Sequence, residues 1–147
     1  MSGKSFVDTN VLVYAHDALA GPKHLRARQV VEDLWNSGTG VLSTQVLQEL
    51  SINVRRKARH PLSWKETRRM VEDYLNWEIV VNDAASVLQA LSFEERYKVS
   101  FWDALILQAA ETAGVDVVLS EDLSAGQKYG SFRIENPFAD LRSKGAL

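Results

Sequence analysis

The sequence predicts an α/β protein whose central, mainly parallel sheet is covered by helices on both faces. Short apolar runs alternate with segments of helical periodicity along the 147 residues, a pattern typical of parallel sheets. No repeat, low-complexity tract or linker rich in Pro, Gly and Ser interrupts this alternation. We therefore expect one domain over residues 1–147, with its functional site at the carboxyl ends of the strands.

Helix boundary signals define the elements in the first half of the chain. Pro22 stands at the start of a helical pattern that runs to Trp35, and Gly38 follows its end, as is usual at helix termini. The remaining elements predicted here are the strand Ser5–Asp8 running into Asn10–Ala15, the strand Gly40–Ser43 and a helix from Thr44.

Two capping-box patterns mark helices in the second half. Ser63–Glu66 precedes a helix that reaches Asn76, and Ser100–Asp103 precedes a helix that ends at Gly114. The remaining predicted elements are the strand Glu78–Val81, a helix from Asp83, the strand Val115–Leu119 and a last strand Phe132–Ile134.

The composition excludes several classes of protein. With 46% hydrophobic and 24% charged residues it is that of an ordinary soluble globular domain. The absence of cysteine excludes disulfide scaffolds, thiol catalysis and zinc sites with sulfur ligands. The net charge of -2 excludes a globally basic nucleic-acid binder but allows a local basic patch. No apolar stretch predicts a membrane helix, and Asp8 and Asn10 interrupt the run that a signal peptide would need, so we expect a cytoplasmic protein without membrane association.

Four carboxylates occupy positions where a charge is unfavourable. Asp8 directly follows an apolar strand, and Asp122 lies just beyond the strand Val115–Leu119. Glu49 is at the edge of the apolar face of its helix, and Asp103 is the one charged residue in an otherwise apolar stretch. A buried carboxylate costs several kcal/mol unless it is paired, protonated or bound to a metal.

Together the four acids predict a shared metal site. Gathered at one sheet edge they would repel each other, and a divalent cation, which prefers hard oxygen ligands, removes that repulsion. Each acid also has a structural interpretation. Asp8 could cap the turn after its strand, Glu49 could be a solvated charge, Asp103 could complete an N-cap with Ser100, and Asp122 could belong to a polar loop.

Four segments containing these acids resemble the motifs of the PIN domain family, especially its VapC-type toxin ribonucleases. The segments are Phe6–Tyr14, Ser43–Leu50, Ser100–Ile106 and Leu119–Leu123, and Asn136–Phe138 is similar to the usual ending of the family. The resemblance covers nearly the whole chain in the expected order. It implies a three-layer α/β/α fold and hydrolysis of RNA phosphodiester bonds with Mg²⁺ or Mn²⁺.

The residues support this chemistry, because metals held by carboxylates can activate water and neutralise charge on a phosphate without histidine or cysteine. Asp8, Glu49 and Asp103 are the expected direct or water-mediated ligands, and Asp122 would hold a second metal or a metal-bound water. Glu121 stands beside Asp122, so the sequence leaves open which of the two faces the metal. Asn10 and Ser120 are the expected partners that orient carboxylates or substrate.

The resemblance also implies two protein partners. Toxins of this type are paired with a small DNA-binding antitoxin, and we expect a homodimer. The sequence itself adds apolar helix residues that exceed what one small core is expected to bury, namely Trp64, Tyr74 and Trp77. More generally, we interpret the four tryptophans as core or interface residues, namely Trp35, Trp64, Trp77 and Trp102.

A basic run follows the helix that carries Glu49. Its core is formed by Arg55, Arg56, Lys57 and Arg59, with further cations at Lys65, Arg68 and Arg69. The run could track RNA phosphates, or it could be the solvated face of a helical hairpin.

Three other functions compete with a toxin ribonuclease. A phosphatase using Asp8 as nucleophile is disfavoured, because such enzymes usually carry a second Asp where Asn10 stands. A PIN-type RNA-processing nuclease that is not a toxin shares every motif. A non-catalytic RNA-binding module of the same fold is disfavoured because all four acids are present.

Overall fold

The computed structural model describes residues 1–141, so the last six residues of the predicted domain, 142–147, lie outside the described residues. The strands are β1 (Ser5–Val7), β2 (Gly40–Ser43), β3 (Glu78–Val80), β4 (Val117–Leu119), β5 (Lys128–Tyr129) and β6 (Phe132–Glu135). The helices are α1 (Thr9–His16), α2 (Pro22–Ser37), α3 (Thr44–Arg56), α4 (Trp64–Tyr74), α5 (Ala84–Tyr97) and α6 (Phe101–Ala113). No helix within residues 1–141 is both long and apolar enough to cross a membrane.

The strands form one sheet in the order β3-β2-β1-β4-β6-β5. All neighbours are parallel except β5 and β6. In β1, Phe6 pairs with Val41 of β2 on one side and with Val118 of β4 on the other. The chain runs outward from β1 to β3 and then returns to β4 on the other side of β1. This reversal creates a crevice at the carboxyl ends of β1 and β4, which is where open α/β sheets bind their ligands.

Both faces of the sheet are covered, as predicted. Successive side chains of a strand point to opposite faces, and both Phe6 and Val7 of the central strand are fully buried. Val41 and Leu42 of β2 are fully buried in the same way. Helix α1 packs against α2 and α3, α3 packs against α4, and α5 packs against α6. The α/β/α fold class is therefore confirmed.

The predicted elements are found with small shifts and one addition. Residues Asn10–Ala15, predicted only as the continuation of the first strand, belong to helix α1, and β4 begins two residues after its predicted start. Strand β5 was not predicted, because its two residues are too few to show a strand period. It forms an antiparallel hairpin with β6, closed by a turn at Gly130, which has a φ of 57°.

The expected surplus of apolar helix residues is smaller than predicted. Tyr74 and Trp77 are buried in the core, where they pack edge to face with a centroid distance of 5.2 Å. Trp35 stacks on Tyr74 from α2. Trp64 is 75% exposed and Trp102 is 63% exposed, so neither is a core residue.

The Trp77 ring lies directly over the backbone of Gly40. A methyl group at this position would overlap the six-membered part of the ring. Both residues are buried, so neither can move into solvent. The absence of a side chain at the start of β2 is therefore a packing requirement.

Gly40→Ala should lower the free energy of unfolding by about 1–3 kcal/mol, the usual cost of overpacking a core. Urea denaturation would measure this loss. In a double-mutant cycle with Trp77→Leu, the alanine should cost clearly less, because the smaller side chain leaves space for the methyl group. Equal costs in both backgrounds would contradict the assignment.

Candidate active site

The structure brings the four predicted acids to one cavity at the carboxyl ends of β1 and β4. The cavity has a volume of about 190 Å³, and Asp8, Glu49, Asp103 and Asp122 all line it. They come from the end of β1, from α3, from the first turn of α6 and from the loop after β4. The other lining residues include Thr9, Asn10, Gln45, Asn53, Lys57 and Trp102.

Asp8 both caps a helix and lines the cavity. One carboxylate oxygen accepts from the backbone N–H of Thr9 at 2.8 Å, at the start of α1. The other accepts from the hydroxyl of Ser120 at 2.8 Å. The same hydroxyl oxygen accepts from the backbone N–H groups of Asp122 and Leu123 at 3.2 and 3.1 Å. Ser120, which is fully buried, thus ties Asp8 to the loop that carries Asp122.

Glu49 is held in place by a residue that the sequence analysis missed. The hydroxyl of Thr9 donates to Glu49 Oε1 at 2.7 Å, and Thr9 itself is buried. Glu49 is therefore a half-buried, hydrogen-bonded carboxylate, not a freely solvated charge. The one signal for Thr9 in the sequence was its position between Asp8 and Asn10.

The capping-box interpretation of Asp103 is wrong. In α4, Ser63 and Glu66 make both bonds of the box. In α6, the Ser100 side chain accepts from the Asp103 N–H at 3.1 Å, but the reciprocal bond from the Asp103 carboxylate is not made. Ser100 therefore caps the helix alone, and the carboxylate of Asp103 lines the cavity.

The loop after β4 separates two neighbouring acids. Asp122 accepts a hydrogen bond from the amide of Asn10 at 2.5 Å and lines the cavity. Glu121 accepts from the hydroxyl of Tyr14 at 2.9 Å and forms an ion pair with Lys23. The side chain that faces the other three acids is thus Asp122.

Burial raises the pKa of Asp8 to about 6, and the nearby charges of Asp122 and Glu49 add to this rise. The hydrogen bonds from Ser120 and Thr9 act in the opposite direction but do not cancel it. The ionised form of Asp8 is therefore destabilised in the absence of a cation.

The donor set fits a hard divalent cation. All four acids offer oxygen ligands, and Gln45 adds a buried carbonyl oxygen without a hydrogen-bond partner within residues 1–141. The amide group of Gln45 is oriented by its donation to the carbonyl of Trp102 at 3.2 Å. No three His, Asp or Glu side chains in the described chain are grouped tightly enough to hold an ion directly. A cation in this cavity would therefore be bound directly by at most two of these carboxylates and otherwise through water, a coordination that Mg²⁺ commonly adopts.

The predicted basic run is divided among different surfaces. Lys57 lines the acidic cavity, and Arg59 lines an adjoining one. The guanidinium of Arg55 lies 3.9 Å above the ring of Trp64 in a separate groove. Arg56 is exposed at the end of α3.

Three further residues of the acidic cavity were not predicted as site residues. Gln45 and Asn53 lie on α3 together with Glu49, and their helical spacing from it is the signal that could have found them. Trp102 is exposed at the cavity beside Asp103, so the expected core role is wrong and the alternative interface role stays a prediction.

Compared with the wild type in EDTA, Asp8→Asn should be more stable by about 2 kcal/mol near pH 7.5 than it is near pH 4.5, because the buried charge that it removes is present only at the higher pH. Its absolute effect also includes the loss of one of the two hydrogen bonds that the carboxylate accepts, since an amide has a single acceptor oxygen. Between about pH 4 and pH 6 the native state binds more protons than the unfolded state, so wild-type stability falls as the pH rises through this window. The relative stability of the variant should therefore fall as the pH is lowered from 7.5 to 4.5. Urea denaturation at both values would measure it.

The matched control is Glu111→Gln, which removes one charge from an exposed position on α6. It should change stability by less than about 0.5 kcal/mol at either pH. A gain for Asp8→Asn that is equal at both values would contradict the burial of the charge.

Solved structures with this fold include a toxin-antitoxin complex, a toxin and a VapBC complex. A toxin-antitoxin complex from Klebsiella pneumoniae superposes with a TM-score of 0.66 at 16% identity, over 91% of this chain and 98% of that one. VapC20 of Mycobacterium tuberculosis, described as a toxin that cleaves the sarcin-ricin loop, gives 0.62 at 21% identity, over 81% and 90%. DNA-bound VapBC of Salmonella typhimurium gives 0.60 at 21% identity, over 91% and 98%.

At these identities the structural likeness establishes a shared fold. No curated protein sequence is significantly similar to this one. A family model described as the PIN domain matches residues 5–128. Because that match spans most of the chain, the protein belongs to the PIN domain family.

Proposed function

We propose that this protein is a metal-dependent endoribonuclease that hydrolyses RNA phosphodiester bonds at the acidic cavity. The observation that carries the proposal is the convergence of four acids from distant segments on one crevice of the sheet. Membership of the PIN domain family supports the assignment. A single domain over residues 1–147 would carry the activity, and an RNA substrate fits a cytoplasmic location.

The cofactor we propose is Mg²⁺ or Mn²⁺, held directly or through water by Asp8, Glu49, Asp103 and Asp122. When bound, such a cation lowers the pKa of water and neutralises charge that develops on the phosphate. Hydrolysis adds one water across a P–O bond, so no further reactant is needed.

Neighbouring side chains position these carboxylates. Ser120 and the Thr9 N–H each occupy one lone pair of an Asp8 oxygen, which fixes the orientation of that carboxylate. Thr9 restrains Glu49 through its hydroxyl, and Asn10 restrains Asp122. Each carboxylate oxygen retains a further lone pair for a ligand. We propose that Ser120 and Asn10 have the orienting roles expected from the sequence, and their hydrogen bonds to Asp8 and Asp122 support this.

We further propose that the protein is the toxin of a toxin–antitoxin pair, with a small antitoxin as its partner. The similar structures from Klebsiella pneumoniae and Salmonella typhimurium, which are toxin–antitoxin and VapBC complexes, support this assignment. A PIN-type RNA-processing nuclease would share the cavity but would not arrest growth. A non-catalytic RNA-binding module would bind RNA without cleaving it.

We also propose a homodimer. Helix α5 carries apolar side chains that remain exposed within the described chain, with relative exposures of 45% for Val87, 69% for Leu88 and 48% for Leu91. Their spacing places them along one side of the helix. A second copy of the chain is the occupant we propose for this stripe.

Asp103→Asn should lower the rate of RNA cleavage by about 100-fold or more, because it removes one carboxylate from the proposed ligand set. Gel assays on structured RNA with Mg²⁺ or Mn²⁺ would measure this rate, with EDTA abolishing cleavage by the wild type. Glu111→Gln, on the exposed side of the same helix, should cleave at the wild-type rate. Undiminished cleavage in EDTA or in the Asp103 variant would overturn the proposal.

Expression of the wild type without a partner should arrest growth, and Asp103→Asn should not. Coexpression with the product of a neighbouring reading frame should restore growth if that product is the antitoxin. Cleavage in vitro without any growth defect would favour an RNA-processing nuclease over a toxin.

Light scattering at micromolar concentration should give about twice the monomer mass of 16.5 kDa. Leu88→Glu should shift the protein toward the monomer, because a charge in an apolar interface is desolvated without a partner. Gln89→Glu, at the adjacent exposed position, is the matched control and should remain dimeric. A monomeric wild type would exclude the dimer.

A further inference from the structure

A second, larger cavity adjoins the acidic one. Its volume is about 670 Å³ and it lies between α1, the start of α2 and the end of α3. The two cavities share three lining residues, Asn10, Asn53 and Lys57. A ligand that occupies the acidic cavity and extends past Lys57 therefore enters this second cavity.

The second cavity is lined by three cationic side chains, Lys23, Lys57 and Arg59. Lys23 is paired with Glu121. In the part of the chain that the structure describes, neither Lys57 nor Arg59 forms an ion pair. The side chains of these two residues are exposed, so both charges are available to a ligand.

The N-terminus of α2 contributes further partial positive charge to the same cavity. Gly21, with a φ of 66°, is the N-cap of this 16-residue helix and supplies no side-chain acceptor to its first turn. Gly21 and Pro22 both line the cavity. The first turn of a helix carries partial positive charge and favours anions.

Asp17 lies in the same cavity, but its charge is already satisfied. Its carboxylate accepts from the backbone N–H groups of Leu19, Arg59 and His60 at 3.2, 2.8 and 3.0 Å. Burial alone would raise the pKa of Asp17, but these donors hold it below its usual value. Asp17 thus anchors the segment that carries Arg59 beside the cavity.

The neighbouring cations of the basic run serve as a contrast. Arg55 packs on Trp64 in a groove shared with Lys65 and Arg68. None of these three cations lines the acidic cavity or the second cavity. The structure therefore divides the run into cations that face the candidate active site and cations that do not.

We propose that the second cavity is a subsite for a backbone phosphate of single-stranded RNA, next to the phosphate in the acidic cavity. Lys57 and Arg59 are its main ligands, and the start of α2 assists them. Repeating anionic groups along one strand match a cationic cavity that opens beside a carboxylate site. This inference rests on the proposed function, since it assumes that RNA is the substrate.

The test measures RNA binding without cleavage. Fluorescence anisotropy in EDTA, with a fluorescein-labelled oligouridylate of about 12 nucleotides, gives Kd across a range of KCl concentrations. For single strands, the logarithm of the association constant decreases linearly with the logarithm of the salt concentration. The magnitude of this slope is smaller by about 0.7 for each phosphate that the protein no longer neutralises. The double variant Lys57→Gln/Arg59→Gln should reduce the slope by about this amount. Lys57→Gln and Arg59→Gln alone should each reduce it by part of this amount and weaken binding several-fold. Arg55→Gln and Lys65→Gln remove the same charge elsewhere and should leave the slope unchanged.

Equal effects of all four substitutions would indicate a diffuse field and overturn the subsite, as would unchanged slopes for Lys57→Gln and Arg59→Gln. All four changed residues lie outside the buried core, and thermal melts would verify folding of each variant.

Cleavage assays with metal separate the two proposals. The expected slopes without cleavage by the wild type would retain the subsite and reject the nuclease. Cleavage by the wild type with unchanged slopes would retain the nuclease and reject the subsite.

Discussion

The acidic cavity depends on the position of Asp8 between the ends of two parallel strands. Its carboxylate caps α1 through the Thr9 N–H and accepts the buried hydroxyl of Ser120 from the segment after β4. Because β1 and β4 are hydrogen-bonded along their full length, these two bonds fix the carboxylate relative to the sheet. The loop that carries Asp122 is fixed by the same serine, so one hydroxyl determines the placement of two acids.

The unfavourable burial of the Asp8 charge occurs next to strongly packed apolar side chains. Asp8 follows Phe6 and Val7, which are fully buried on opposite faces of the sheet. Burial of such side chains contributes roughly 1.5–3 kcal/mol each, comparable to the cost of holding one carboxylate in a desolvated position. The central strand therefore combines strong apolar packing with an unfavourable charge at its end.

The sequence indicated the four acids and two of the residues that support them, Asn10 and Ser120, but not Thr9. Asp8 and Asp103 stood out because a charge beside apolar residues is costly and demands an explanation. Thr9 did not, since a neutral polar residue at the start of a helix is ordinary. Adjacent cations look equivalent in the sequence, so the pattern predicts a single basic run. In the fold, Arg55 and Lys57 lie on different surfaces. The site roles of all these residues remain predictions.

The two-residue strand β5 also affects how the sheet meets other molecules. An open sheet exposes unpaired N–H and C=O groups along its outer strands, and these can recruit another chain into aggregates. Here one outer strand is the short β5, and the other is β3, which has three residues and begins with the exposed Glu78. Within residues 1–141, neither outer strand offers a long, flat, apolar template. The described part of the chain thus has little unpaired strand backbone to which the strands of another copy could add.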